Sequence, residues 1–317
     1  MAKLLNLIQN EWMKLWHKKG TWAMVALLIL FIIGPGIMMK YQEIKYNSNN
    51  SETWQESEQQ VINLNKEMME DENISAEDKK HFEEEMAISE YRLANELPSQ
   101  EDGSVASFMS FAGNMLNLVT LFTVIIAASI VSSEFATGTI KMLLTRPVSR
   151  AKILTSKLLT TFIFGLFLYV VTFIVSALVG LILFGGGTGV ELEMVNGQIV
   201  EKAVWNDLAY HYLLSGGDFV MSILFAFLVG SVFRSSSLAI GLTMFLSFTG
   251  GMIVMFLSRF KIVKYIWLTH SDLTQYERGS SILDGITMPF SLTILAIYAV
   301  LFLAISYMSF MKRDVTA

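Results

Sequence analysis

Six stretches without a charged residue divide this chain: residues 21–39, 103–133, 158–190, 219–233, 235–258 and 285–311. A helix that crosses a bilayer needs about 20 consecutive apolar residues. Five of the stretches meet or nearly meet that length. The fourth, 219–233, is short by itself and is expected to start upstream in LAYHYLLSGGD, with Asp218 near the outer interface. The expected fold class is an all-α polytopic membrane protein with six transmembrane helices. Composition agrees: 53% of residues are hydrophobic and 16% charged, whereas a soluble domain is about a quarter charged.

Residues 1–20 read as a cytoplasmic, amphipathic interfacial helix and residues 21–39 as the first span. Lys14, Lys18 and Lys19 precede that span as in a signal peptide. The apolar run exceeds the usual h-region of about 7–15 residues, and GIMMKYQE offers no small-residue cleavage site. It therefore reads as a retained anchor. Pro35, between Gly34 and Gly36, is expected to kink or fray its outer half. Residues 40–102 form an external segment. Residues 103–317 hold five further spans, with a cytoplasmic loop at 134–157 and external loops at 191–217 and 259–284.

Six spans put both termini on one side. With the termini inside, the cytoplasmic pieces (1–20, 134–157, Arg234 and 312–317) hold twelve Lys/Arg against three Asp/Glu. The remainder holds eleven against twenty-five. The positive-inside rule favours that orientation. The formal net charge of −5 arises in residues 40–102, with seventeen acids and six bases. That surplus is a solvated external domain rather than a nucleic-acid surface.

In the external segment Trp54, Val61 and Met68 recur every seven residues, with Leu64 between them. Phe82, Met86, Leu93 and Leu97 follow at near-helical spacing, after the polar turn EDENIS. Ser75 and Asp78 give a capping-type start, and Pro98 ends the second helix. The expectation is an antiparallel helical hairpin outside the cell. Its apolar stripe packs on itself or on a second copy, or the hairpin receives or gates a substrate.

The chain has no cysteine, which excludes disulfides and thiolate metal sites. His17, His81, His211 and His270 lie far apart, in no ligand spacing, and read as structural or solvated. The centres of the spans carry no charge, which argues against a proton- or sodium-coupled carrier. No H-E-x-x-H, G-x-S-x-G or intramembrane Asp pair supports catalysis, and no P-loop is present. The chain is thus not expected to be an enzyme or to bind a metal or cofactor. Energy for uphill movement has to come from another subunit. Gly250-Gly251 is expected to interrupt the fifth span, and Ala128 with Ser132 makes a small-xxx-small pair in the second.

The loop EFATGTIKMLLTRPVSRAKILTSK, residues 134–157, is longer than a connector needs to be. Thr137 or Thr139 can cap a short helix, IKMLLT supplies one with Met142, Leu143 and Leu144 as its apolar part, and Pro147 stops it. Ser149 is a candidate N-cap for the helix that follows. By its physics the loop is either a docking element or a basic surface helix on anionic lipid.

The loop resembles the segment between the second and third helices of ABC-2 type transporter permeases. There the pattern E-x-x-x-G-T-x-K-x-L-L-x-x-P-[VI]-S-R is followed by a lysine. The matching residues are Glu134, Gly138, Thr139, Lys141, Leu143, Leu144, Pro147, Val148, Ser149, Arg150 and Lys157. Glu11, Lys14 and Leu15 in the opening segment, and WLTHSDLTQY before the last span, are similar to the family too. Many members have a shorter external loop at the position of residues 40–102.

The resemblance implies a permease that pairs with a second copy or a paralogue above two cytoplasmic ABC ATPase subunits. ATP and magnesium belong to those partners. Met142, Leu143 and Leu144 would dock in the ATPase, with Glu134, Arg146 and Arg150 flanking them and the N-terminal helix alongside at the lipid surface. Uncharged span centres suit an amphipathic or hydrophobic cargo such as an antimicrobial peptide, a lipid or a drug. The implied setting is a bacterial plasma membrane, with both termini cytoplasmic. The alternative is a membrane sensor or assembly factor that transports nothing and uses the hairpin as its receptor.

Overall fold

The computed structural model describes residues 2–49, 54–69, 74, 76–97, 104–136, 138, 148–185, 191–195, 197–202, 204–277, 283 and 285–312. The helices are α1 (Ala2–Trp16), α2 (Lys19–Asn49), α3 (Trp54–Met69), α4 (Ala76–Ala94), α5 (Val105–Gly113), α6 (Leu116–Ala136) and α7 (Arg150–Phe184). After strands β1 (Glu191–Val195) and β2 (Gln198–Lys202) come α8 (Val204–Phe233), α9 (Ser236–Leu257), the single turn α10 (Leu268–Ser271) and α11 (Met288–Lys312). Among the described residues six segments are long and apolar enough to cross a membrane: Lys19–Lys45, Val105–Ala136, Arg150–Phe184, Trp205–Phe233, Ser236–Leu257 and Met288–Lys312. In α2, Trp22 to Tyr41 covers about 28 Å at ~1.5 Å per residue, close to the ~30 Å hydrocarbon thickness.

Several boundaries differ from the sequence expectation. The first helix does not stop at residue 39: α2 runs on to Asn49. Beyond the apolar run, Lys40 and Glu43 form an i,i+3 ion pair of 2.9 Å that continues the helix. Nor does Pro35 fray it. A Cβ on neighbouring Gly36 would meet Val179 and Phe108 at 3.0–3.1 Å, so packing from α7 and α5 holds the helix past the missing hydrogen bond. The second run is two helices, with a turn at residues 114 and 115. Gly250-Gly251 does not interrupt α9. The region 191–217 is no plain loop: it holds an antiparallel β-hairpin and the start of α8. The strands join at Gly197, whose φ of +78° is the left-handed region that glycine supplies.

The chain divides into two compact units, to both of which α2, α7 and α8 contribute. The first unit comprises Met1–Ile29, Asn114–Thr172 and His211–Ala317. Its core gathers Ile130, Leu154, Leu224, Phe227, Trp267 and Phe302. Close approach makes this core possible: a Cβ on Gly230 would lie 2.7 Å from the Ala128 carbonyl oxygen. The small residues in α6 therefore serve contact with α8 inside one chain.

The second unit comprises Leu30–Gly113 and Phe173–Tyr210. Val105, Ala106, Met109 and Leu208 form its core. Here α3 and α4 pack antiparallel, with Arg92 donating to Glu58 at 3.1 Å and Asn65 to Glu85 at 3.0 Å. The face of α3 that is buried carries Glu58, Ile62 and Asn65. The stripe of Val61, Leu64 and Met68 points away from this packing and is exposed. Ser75 and Pro98, the expected start and stop signals of α4, lie outside the described residues.

Candidate functional site

The motif residues converge at one end of α7. Lys157 is 1% exposed, and its ammonium donates to Glu11 Oε2 at 2.9 Å and to Glu134 Oε1 at 3.0 Å. Lys14 lies 3.0 Å from Glu11 Oε1 and 3.4 Å from Glu134 Oε1. Four alternating charges therefore close a neutral ring that joins α1, α6 and α7. Pairing at these distances offsets the cost of burying the lysine away from water.

Each member is placed by local structure. Glu11 and Lys14 stand three residues apart on α1, hence on one face. Glu134 sits in the last turn of α6, and Lys157 two turns into α7. Aromatic rings seal the arrangement. Trp12 meets Phe164 and Phe167 edge-on at 6.5 and 6.2 Å, and Trp16 meets the same pair at 6.4 and 5.3 Å. The C-terminus of α1 is capped from α2: Thr21 donates to the Leu15 carbonyl at 2.6 Å and Trp22 to the Trp16 carbonyl at 3.0 Å. These bonds satisfy orphan carbonyls of the helix end. Leu15 is buried beside them.

An open cleft of about 640 Å³ between α1 and α6 exposes the rim of the ring at Lys14. Burial acts to lower the Lys14 pKa, but the hydrogen bonds and charges of Glu11 and Glu134 outweigh it and leave the group above its ordinary value.

Both ends of the loop are held. Before it, Phe135 lies under the Arg234 guanidinium at 4.3 Å and edge-on to Phe310 at 6.1 Å. Gly138, at φ +71°, takes a left-handed conformation just past α6, a common helix ending. After the loop, Ser149 immediately precedes α7, and its carbonyl accepts from Ile153 at 3.2 Å. Arg150 donates to the Met311 carbonyl at 3.2 Å, a cation at the C-terminus of α11 where the helix dipole favours it. Thr155 and Tyr307 share a hydrogen bond of 2.6 Å. Thr137 and the residues expected to form the docking helix (Thr139, Lys141, Met142, Leu143, Leu144, Arg146 and Pro147) lie outside the described residues.

Arg234, which the sequence reading only counted among the cytoplasmic pieces, thus packs at the start of the loop. A second polar network also escaped the sequence reading. His270 donates Nε2–H to the Lys264 carbonyl at 2.9 Å and accepts from Ser291 at 2.6 Å, and Tyr276 hydrogen-bonds the same serine. Among the described residues no group of three His, Asp or Glu is placed to hold a metal. Chemically the ring is a joint.

Comparison with known proteins places the chain. Residues 78–316 match the family described as "Protein of unknown function (DUF2705)". The chain belongs to the DUF2705 family. Over 317 residues it is 39% identical to "Uncharacterized protein YhcI" of Bacillus subtilis (strain 168), across 98% of this chain and 99% of that one. Over 219 residues it is 32% identical to "Uncharacterized membrane protein YdbK" of the same organism, across 68% of this chain and 85% of that one. With six apolar helices and a relative of that description, it is a multi-pass membrane protein. The family match takes in Glu134 and Lys157, while Glu11 and Lys14 precede it.

Proposed function

We propose that this chain is the transmembrane permease subunit of an ATP-driven ABC exporter in a bacterial plasma membrane. Both termini and the loop 134–157 face the cytoplasm, α1 lies at the membrane surface, and the α3–α4 hairpin is external. One observation carries the reading: the loop between α6 and α7 is fixed at both ends to the same group of helices. Glu134 enters the charge ring with α1 and α7, Phe135 meets α11 and the turn before α9, and Arg150 holds the end of α11. A load on such a loop passes directly into four helices, which is what a coupling element requires. A lipid-binding loop gains nothing from being anchored in this way.

In this reading the segment with Met142, Leu143 and Leu144 docks in a groove of a cytoplasmic ATPase, which holds ATP and magnesium. Movement of the ATPases is transmitted through the ring to α6 and α7. The cargo is amphipathic or hydrophobic: an antimicrobial peptide, a lipid or a drug.

The test is co-purification of an ATPase with Leu144→Asp. Burying an unpaired carboxylate costs several kcal/mol, and each ~1.4 kcal/mol is tenfold in affinity. The expected result is loss of the ATPase from a permease that still inserts, while Glu134→Ala keeps the partner and lowers transport-linked ATP turnover. An ATPase that stays fully coupled to Leu144→Asp would falsify the reading.

A further inference from the structure

The hairpin turns Glu58 and Asn65 of α3, together with Ile62, toward α4. Between the two helices Arg92 pairs with the buried Glu58, and the buried Asn65 donates to Glu85, whose side chain is half exposed. The hairpin's outer face leaves Val61 39%, Leu64 57% and Met68 48% exposed. Water disfavours an apolar stripe left open in this way. These pairs fix the rotation of α3, and that rotation holds the apolar stripe outward.

We propose that this stripe of α3 is an interface between two copies of the chain, formed by antiparallel pairing of α3 with α3. The stripe is self-complementary. Trp54, Val61 and Met68 occupy one position of a seven-residue repeat and Ser57 and Leu64 another, the two seams along which paired helices interlock. A groove bordered by Ser57, Gln60, Val61 and Leu64 marks the surface of α3. It gives a leucine of an opposing helix a hole to enter.

Charge confines contact between two copies to the stripe. Residues 40–102 carry seventeen acids against six bases, so two copies repel each other over most of this surface. The stripe is the exception, because Ser57, Gln60 and Asn63 along it are uncharged and Glu67 is the only acid. With Val61 set opposite Leu64 of the other copy, Glu67 falls beside the other copy's Gln60, whose amide can donate to it. The pairing is isologous and closes at two. It requires neither an ATPase nor a cargo, so it stands or falls apart from the function proposed above.

The absence of cysteine makes the test direct in the full-length chain in membranes. Differently tagged Val61→Cys and Leu64→Cys copies are co-expressed and oxidised. Disulfides need Cα atoms about 4.4–6.8 Å apart. The expected result is a cross-linked heterodimer at least tenfold more abundant than with Gln59→Cys, which is exposed but off the stripe. Adding Leu64→Glu to the Val61→Cys copy should abolish it, without lowering the amount of monomer in the membrane. The proposal fails if Gln59→Cys cross-links equally, if only monomer appears, if a different protein is captured in place of the second copy, or if dimers persist on gel filtration while the stripe cysteines stay unlinked.

Discussion

Lys157 reaches Glu11 across 146 positions of sequence at 2.9 Å, with its side chain 1% exposed. That bond fixes an N-terminal helix to the third span and places the joint beside a loop whose two ends are also pinned. A lysine buried in this way is useful only while its partners stay in place, so the ring is stiff and intolerant of partial loss.

Removing Lys157 should be the most damaging change in the ring. Lys157→Ala leaves two buried carboxylates facing Lys14, whose side chain is 44% exposed and shielded by water. Breaking one side of a buried pair costs about 3–5 kcal/mol. Glu134→Gln should cost less, because Lys157 keeps Glu11. Thermal unfolding in detergent should rank Lys157→Ala well below Glu134→Gln and wild type. Equal melting temperatures would show that the ring contributes no stability.

The His270 network sets a response to acid. Burial lowers the His270 pKa, and the hydrogen bond to the Lys264 carbonyl offsets this only in part. A base whose folded pKa lies below its unfolded value of about 6.5 stabilises the fold above that value. The contribution is lost as pH falls through the depressed folded pKa. Wild type should lose stability as pH falls below about 6.5. His270→Phe should be less stable at pH 8, with Ser291 and the Lys264 carbonyl left short of a partner at about 1–3 kcal/mol each, and its melting temperature should vary less with pH in that acid range. A steeper acid loss in the variant would contradict this assignment.

Orientation is open to labelling. Gln59 and Lys312 are exposed and stand on opposite sides in the proposed topology. In intact cells a membrane-impermeant thiol reagent should modify Gln59→Cys and leave Lys312→Cys untouched until the membrane is opened. The reverse pattern would invert the topology and remove the loop 134–157 from any cytoplasmic ATPase.

The sequence made the spans legible because a membrane imposes one local requirement, a long uncharged run, that needs no knowledge of neighbours. It also named Glu11, Lys14, Glu134 and Lys157 one by one, through a motif. That they meet in a ring is tertiary information: the ring closes over more than a hundred residues, and no spacing encodes it. Where the reading went astray, packing overrode a local rule. Pro35 and Gly250-Gly251 are helix breakers in isolation, yet α2 and α9 run through both. The seven-residue stripe of α3 reads as packing on itself or on a second copy; within the chain Glu58, Ile62 and Asn65 are the buried residues of α3, and Val61, Leu64 and Met68 stay exposed. The β-hairpin was legible and missed. Asn196-Gly197 between alternating residues is a strong turn signal, hidden here within a segment treated as a loop.

Packing of α6 against α8 gives the last prediction, because two glycines of similar sequence context should respond in opposite ways. A Cβ at Gly230 would sit 2.7 Å from the Ala128 carbonyl oxygen and 3.3 Å from its Cα. Both are backbone atoms of a central helix, so neither can move aside by changing rotamer. Gly230→Ala must push α6 and α8 apart, and overpacking of this kind costs about 1–3 kcal/mol. A Cβ at Gly251, within α9, meets nothing within 4 Å. There alanine restores helix propensity worth up to about 1 kcal/mol. Melting of the two variants in the same detergent should place Gly230→Ala below wild type and Gly251→Ala at or above it. If Gly230→Ala melts with wild type, the two helices are not in backbone contact, and the ring's anchorage in a close-packed bundle loses its footing.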